Sequence, residues 1–173
     1  MNLIFDLETD GLLKDVTTIH CISLYNTEEE RTITYNDEGE DCEPILRGIT
    51  YLEEADTLVG HNIINYDIPV IRKLYPFFDP KGRIVDTLLL SRLYHPNMME
   101  VDKKHNWSNM PLQLYGRHSL ESYGYRLGEY KGSFGKTTDW KQWSQEMQDY
   151  CEQDVRVTTK LCNHFRPYLV GSR

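Results

Sequence analysis

Residues 1–11, MNLIFDLETDG, set two acidic side chains into an apolar stretch that has the alternation of a β-strand. Successive strand side chains point to opposite faces, so Asp6 and Glu8 share one face while Phe5 and Leu7 share the other. Two carboxylates on one buried face repel each other and lose hydration, which is costly unless something positive lies between them. The stretch therefore predicts a core strand with a positive group bound at its end.

The size and composition of the chain fit one globular domain. Its 173 residues are 39% hydrophobic and 27% charged, enough to bury a core. No apolar run approaches the roughly 18 residues of a membrane span, and the N-terminus lacks the pattern of a signal peptide. The four cysteines form no CxxC pair, which indicates reduced thiols. We therefore expect a single cytoplasmic domain without a membrane partner.

The acidic charge of the chain is unevenly distributed. The formal net charge is −8, which by itself argues against a polyanionic partner. Residues 1–71 carry 16 acidic and 3 basic side chains, whereas residues 72–136 carry 6 and 11. The middle of the chain could supply an electropositive surface, although scattered solvated charge explains the same numbers equally well.

The hydrophobic pattern predicts an α/β fold. Three strands joined by short polar turns come first, and alternating helices and strands follow, which favours a mixed sheet of an antiparallel meander plus parallel strands flanked by helices. The predicted strands cover residues 2–7, 19–25, 31–36 and 56–61, and a short one begins the stretch 82–94. The predicted helices cover residues 43–54, 66–75, the remainder of 82–94, 119–127 and 144–165, and residues 95–111 are expected to form a loop.

Two further carboxylates occupy positions that a structural role explains poorly. In the final helix, Asp154 lies on an apolar stripe that includes Cys151 and Val155, and Tyr150 precedes it by one turn. Asp67 follows the apolar strand at residues 56–61, and sites in such sheets gather near strand ends. A helix N-cap is the structural alternative for Asp67.

Four carboxylates with no lysine or arginine near the first two indicate a metal site. Oxygen ligands select hard cations such as Mg²⁺ or Mn²⁺ and disfavour zinc. Four carboxylates can hold two such ions about 4 Å apart, the arrangement that activates water in phosphodiester hydrolysis. We therefore expect two divalent cations as cofactors.

Three motifs give the chain a family resemblance. The segments DLE, HNIINYD and YCEQD resemble, in order and spacing, the three exonuclease motifs of the DnaQ-like DEDD superfamily. Between them, VDTLLLSRLYHP and GRHSLESYGYRLGEYKG closely resemble the proofreading domain of family A DNA polymerases from short-tailed bacteriophages. The resemblance covers nearly the whole chain. It implies a ribonuclease H-like fold and an enzyme that removes nucleotides from the 3′ end of DNA.

The resemblance also implies a role for each candidate catalytic residue. Asp6 would bridge both metal ions. Glu8 and Asp154 would complete the site of the ion that holds the attacking water, and Asp67 would support the second ion. Tyr150 marks the subclass with a Tyr-x-x-x-Asp motif and would position the water, because a phenol with a pKa near 10 is a poor base at neutral pH.

Substrate contacts are expected from six further residues, although each also has a structural interpretation. The resemblance places His61 and Asn62 near the 3′-terminal nucleotide, where they could equally cap the preceding strand. The other four are the neighbours of the first motif and two cations in glycine-flanked loops: Leu7, Thr9, Arg117 and Lys131. Asp86 fits a helix N-cap, whereas the resemblance places its stretch beside the substrate strand, and it is left out of the catalytic set.

The expected substrate is DNA with a free 3′ end, single-stranded or frayed, in phage replication proofreading or stand-alone DNA degradation in the host cytoplasm. A polymerase domain or a separate polymerase subunit is the expected partner. We expect residues 1–173 to form one exonuclease domain with no polymerase domain in this chain, either excised from a longer protein or acting alone. The alternatives are an exoribonuclease that trims RNA and a catalytically silent module that binds nucleic acid or docks a polymerase.

Overall fold

The computed structural model describes residues 1–129 and 139–170 of the chain. Its strands are β1 (Asn2–Thr9), β2 (Ile19–Asn26), β3 (Arg31–Tyr35), β4 (Thr57–Gly60) and β5 (Arg83–Asp86). Its α-helices are α1 (Ile45–Glu53), α2 (Ile68–Leu74), α3 (Thr87–Tyr94), α4 (Met98–His105), α5 (Leu120–Arg126) and α6 (Gln145–Val170). A π-helical turn (Ile63–Asp67) and a 3₁₀ turn (Leu112–Leu114) complete the described elements.

The five strands form one mixed sheet in the order β3-β2-β1-β4-β5. The strands β1, β2 and β3 pair as an antiparallel meander, and β1, β4 and β5 run parallel. The β1–β2 register shifts between Glu8 and Thr9, which marks a bulge at the end of the central strand. The predicted mixed sheet of an antiparallel meander plus parallel strands is therefore confirmed.

The two faces of β1 separate as its alternation predicts. Leu3, Phe5 and Leu7 enter the main core, which α1 and α2 cover. On the opposite face Ile4 packs with Val59 and with Val155 of α6. Asp6 and Glu8 point to this second face, so the long final helix crosses the strand on the side that carries the carboxylates.

The prediction of a loop over residues 95–111 is wrong for part of that range, because residues 98–105 form α4. Only Met98 and Asp102 of this helix are buried, so its sequence shows no apolar stripe. The helix is held instead by Asp102, whose carboxylate accepts two hydrogen bonds from Arg126 and one each from Trp107 and Gly116. Such distant polar partners leave no periodic pattern in the sequence.

In the described part of the chain we find no helix that combines the length and the apolar character required to cross a membrane.

Candidate active site

All five predicted catalytic side chains line one open cleft of about 250 Å³. The cleft lies where β1 and β4 end, at the carboxyl edge of parallel strands, where α/β sheets commonly place their sites. Its lining residues come from four parts of the chain that are distant in sequence: Asp6, Leu7, Glu8, His61, Asn62, Tyr66, Asp67, Leu120, Tyr150 and Asp154. The fold therefore brings together the three motifs that the sequence singled out.

Helix α6 sets one wall of the cleft. The Cys151 thiol donates a hydrogen bond to the main-chain oxygen of Asp6 at 3.4 Å, which fixes the helix close to β1. Tyr150 and Asp154 stand one helical turn apart and reach the cleft beside Asp6. Glu8 and Asp154 are only 8% and 6% exposed, so the apolar packing around the helix leaves both carboxylates shielded from bulk water.

Asp67 is delivered by the π-helical turn after β4. The Ile68 N–H donates to the Ile63 carbonyl, which widens the turn by one residue, and Pro69 prevents a regular helix from continuing upstream. The turn packs tightly on the sheet: a Cβ atom at Gly60 would lie 2.2 Å from the Ile63 side chain. Asp67 stands at the N-cap position of α2, as the structural alternative expected, but its side chain makes no capping bond and its carboxylate lines the cleft.

Asp86 caps α3 as predicted and also anchors the turn that carries Asp67. Its carboxylate accepts the Leu88 N–H at 2.9 Å, the capping bond, and the N–H groups of Asn62 and Ile64 at 2.9 and 3.1 Å. The bonds from Asn62 and Ile64 tie β5 to the residues that follow β4. Asp86 therefore holds the second motif in place from outside the cleft.

The carboxylates of the cleft perturb one another strongly. Loss of hydration raises the pKa of Asp6 well above its usual value, and repulsion from Asp154, Glu8 and Asp67 raises it further. Loss of hydration also raises the pKa of Asp67 well above its usual value, although its own N–H and the N–H of Leu7 oppose the shift. Among the described residues lining the cleft there is no lysine or arginine to relieve this repulsion.

The donor set of the cleft fits a hard divalent cation. Asp67 is 3% exposed, and its Oδ2 atom is buried without a hydrogen-bond partner in the described structure. Asp6, Glu8 and Asp154 supply further carboxylate oxygens in the same cleft. Mg²⁺ and Mn²⁺ prefer several oxygen ligands, and the positive charge of such an ion would offset the repulsion among these carboxylates.

The six predicted substrate-contact residues fall in different places. Leu7, His61 and Asn62 line the cleft, whereas Thr9 lines a neighbouring cavity of about 370 Å³. Arg117 is exposed, donates to the Gln113 carbonyl at 2.8 Å and lines neither cavity. Lys131 lies outside the described residues.

His61 and Asn62 have local structural duties besides lining the cleft. The His61 ring bonds through Nδ1 to the Thr87 hydroxyl at 2.8 Å and through Nε2 to the His118 carbonyl at 2.9 Å. Asn62 has a φ of 65°, a left-handed conformation that asparagine tolerates better than most residues. The strand-end interpretation considered for this pair is therefore compatible with contact to a substrate.

Three residues of the site escaped the sequence reasoning. Tyr66 and Leu120 line the cleft, and Cys151 lies directly behind Asp6. The Tyr66 hydroxyl donates to the Gly11 carbonyl at 2.5 Å and so closes the gap between the first two motifs. The available signal was its place in the second motif, HNIINYD, directly before Asp67.

Comparison with known proteins agrees with the geometry of the cleft. Residues 3–166 match the model of the RNase H superfamily. The chain belongs to this superfamily. Its cleft thus belongs to an RNase H-like nuclease domain related to the exonuclease domains of polymerases, and the superfamily depends on divalent metal ions. The predicted ribonuclease H-like fold is confirmed.

The relatives of this RNase H-like domain include two phage polymerases. The chain is 31% identical to the DNA-directed DNA polymerase of Escherichia phage T7 and 32% identical to that of Enterobacteria phage T3, in each case over 92% of its length. It spans about a quarter of those relatives, 26% of each. The predicted resemblance to this group of phage polymerases is confirmed.

A solved structure with the same fold is Brucella melitensis NrnC with bound Mg²⁺. The TM-score is 0.60 at 18% sequence identity, and the match covers 98% of this chain and 75% of NrnC. At that identity the likeness shows a common fold.

Proposed function

We propose that the chain is a metal-dependent 3′→5′ exonuclease that acts on single-stranded or frayed DNA and releases nucleoside monophosphates. The observation that carries the proposal is the convergence of Asp6, Glu8, Asp67, Asp154 and Tyr150 on one cleft. Asp67 is buried, and its Oδ2 atom has no hydrogen-bond partner among the described residues, which a purely structural role does not explain. Membership of a nuclease superfamily supports the same chemistry.

Two divalent cations, Mg²⁺ or Mn²⁺, are the proposed cofactors. Asp6 would contact both, Glu8 and Asp154 would complete one site, and Asp67 would support the other. When bound, such ions lower the pKa of a coordinated water and neutralise charge that develops on a phosphodiester. Without them the acidic cleft repels the phosphate backbone, so cations are needed for substrate binding as well as for cleavage.

The protein side chains of the cleft then orient the DNA end. The Tyr150 hydroxyl lies on the same helix as Asp154 and is proposed to hydrogen-bond the attacking water. Leu7 and Leu120 supply apolar side chains for the terminal sugar and base, and Asn62 supplies an amide in the same cleft. The cleft holds about 250 Å³, which suits one terminal nucleotide better than a continuous duplex.

The biological setting is inferred from the relatives. We propose that the chain proofreads phage DNA replication or degrades DNA on its own, in the host cytoplasm, with a polymerase domain or polymerase subunit as partner. The identity to two phage DNA polymerases supports this assignment. Residues 1–173 would then act as one exonuclease domain.

The decisive assay compares DNA and RNA oligonucleotides of the same sequence. Each carries a 5′ label and is incubated with Mg²⁺, Mn²⁺ or EDTA, and a circular single-stranded DNA tests for internal cuts. Asp6→Ala removes the proposed bridging carboxylate. Asp149→Ala is the matched control, because Asp149 is an exposed acid on the same helix that accepts a hydrogen bond from Gln145 and does not line the cleft.

We expect a ladder that shortens from the 3′ end of DNA, absent with EDTA and with Asp6→Ala but retained by Asp149→Ala. Cleavage of the circle, resistance to EDTA or an active Asp6→Ala variant would contradict the mechanism. Faster degradation of the RNA would favour the exoribonuclease alternative. Binding of both oligonucleotides without any cleavage would favour the silent docking module.

A further inference from the structure

A cysteine thiol lies behind the carboxylates of the cleft. Cys151 is fully buried on α6, and its sulfur lies 3.8 Å from Asp6 Oδ2 as well as 3.4 Å from the Asp6 carbonyl oxygen. One ligand atom each from Asp6, Glu8 and Cys151 can be chosen so that all three lie within 4.8 Å of one another. The proposed function uses the two carboxylates and gives the thiol no role.

We propose that Cys151 is an additional ligand through which the site binds thiophilic divalent cations such as Zn²⁺ and Cd²⁺. The inference rests on the proposed function, because it requires that the carboxylates of β1 hold a cation. The same cleft contains a second sign of an incomplete ligand set, the Oδ2 atom of Asp67, which is buried and has no hydrogen-bond partner within the described residues.

The chemistry of the two ligand types separates two classes of ion. Mg²⁺ and Mn²⁺ take oxygen ligands and gain nothing from a thiol, whereas Zn²⁺ and Cd²⁺ bind thiolates strongly. On binding, the Cys151 S–H bond breaks, a sulfur–metal bond forms, and the proton passes to solvent. The hydrogen bond from the thiol to the Asp6 carbonyl is lost in exchange. A thiophilic ion is therefore held deeper than a hard one and competes with it for Asp6 and Glu8.

A buried thiol bonded to a main-chain carbonyl also occurs as ordinary core packing. Cys21 provides the comparison for this interpretation. It is equally buried, faces Glu8 across the β1–β2 ladder and interacts with Cys151, but it is not part of the three-residue ligand group. Cys151→Ala and Cys21→Ala therefore remove one buried thiol each from neighbouring positions.

The test titrates metal-free protein with Cd²⁺ and records the ultraviolet absorption of sulfur-to-cadmium charge transfer. Isothermal titration calorimetry then gives the dissociation constants for Zn²⁺ and for Mg²⁺ in the same three proteins. We expect the absorption band in the wild type and in Cys21→Ala and its loss in Cys151→Ala. The ratio of the Mg²⁺ to the Zn²⁺ dissociation constant should fall at least about tenfold in Cys151→Ala. Mutating a residue that supports a metal site usually lowers the metal affinity by at least that factor.

Cadmium NMR of the wild type supplies a measurement that needs no variant to fold, because the chemical shift distinguishes sulfur from all-oxygen ligation. A band that persists in Cys151→Ala, or Cd²⁺ bound to the wild type through oxygen alone, would overturn the inference. Absence of any Cd²⁺ binding would overturn it too. These three results are independent of nucleotide release with Mg²⁺, which alone decides the proposed function.

Discussion

Replacing Asp67 by asparagine should stabilise the metal-free protein, although it removes a proposed metal ligand. The Asp67 side chain is 3% exposed and its Oδ2 atom lacks a hydrogen-bond partner among the described residues. Loss of hydration raises its pKa well above the usual value. A raised folded-state pKa means that the carboxyl stabilises the fold only below its unfolded pKa of about 4, and that this contribution is lost as the pH rises through the folded value.

The size of the effect follows from the cost of a buried group without a hydrogen-bond partner. That cost is about 1–3 kcal/mol for a neutral group and more for a charged one, so the uncharged variant should gain about 1–3 kcal/mol at neutral pH. In a domain of this size that gain raises the melting temperature by about 3–10 °C. The asparagine oxygen can still accept the N–H bonds of Asp67 and Leu7, so little is lost in return.

Thermal unfolding followed by circular dichroism, in EDTA and in Mg²⁺, measures this effect. In EDTA the variant should unfold at the higher temperature, and the difference should vanish near pH 4. In Mg²⁺ the wild type should gain more than the variant, because it keeps the full ligand set. The reasoning is refuted if Asp67→Asn melts no higher than the wild type in EDTA, or if Mg²⁺ stabilises both equally.

Asp86→Asn is the matched control, since Asp86 is a buried carboxylate with the opposite surroundings. It is 5% exposed, but it accepts three main-chain N–H bonds, from Asn62, Ile64 and Leu88. In the asparagine variant an amide nitrogen replaces one carboxylate oxygen, and this nitrogen cannot accept the hydrogen bond that the oxygen accepted. We therefore expect Asp86→Asn to lower the melting temperature in EDTA, where Asp67→Asn raises it.

Three further outcomes are expected. Gly60→Ala should destabilise the fold by about 1–3 kcal/mol in denaturant unfolding, because the new methyl would lie 2.2 Å from Ile63; equal stability would show that the turn yields easily. Asp102→Asn should lower the free energy of unfolding by about 3–5 kcal/mol, since it leaves Arg126 buried without its counter-ion. Burial alone would raise the pKa of Asp102, but hydrogen bonds from Arg126, Gly116 and Trp107 lower it. The wild-type ion pair should therefore be lost only as the pH falls below about 4. Tyr150→Phe should lower kcat for nucleotide release while leaving Mg²⁺ affinity within about twofold, and a loss of Mg²⁺ binding in calorimetry would instead place the hydroxyl among the ligands.

The sheet and the carboxylate set were accessible from sequence because both leave regular patterns. Alternation in β1 separated Asp6 from the core residues, and the helical repeat in α6 showed that Asp154 occupies an apolar stripe. The observed helix begins at Gln145, within one residue of the predicted start. It continues to Val170, past the predicted end and past Pro167, which has no N–H to donate within the helix.

The features that the sequence did not predict depend on polar contacts between distant residues. Helix α4 is held by the ion pair of Asp102 with Arg126, 24 residues further along the chain. The π-helical turn replaced the first part of the helix predicted over residues 66–75, because its register is fixed by packing on Gly60 and by bonds to Asp86. Neither partner is visible to a local pattern.

The separation of the motifs along the chain has a consequence for synthesis. In the order of synthesis β1 leaves the ribosome before α6, and domains fold as their elements become available. Until α6 packs across β1, Asp6 and Glu8 have no Asp154 beside them. The nascent chain therefore cannot assemble the proposed nuclease centre until α6 has emerged, so its activity is withheld until that helix is in place.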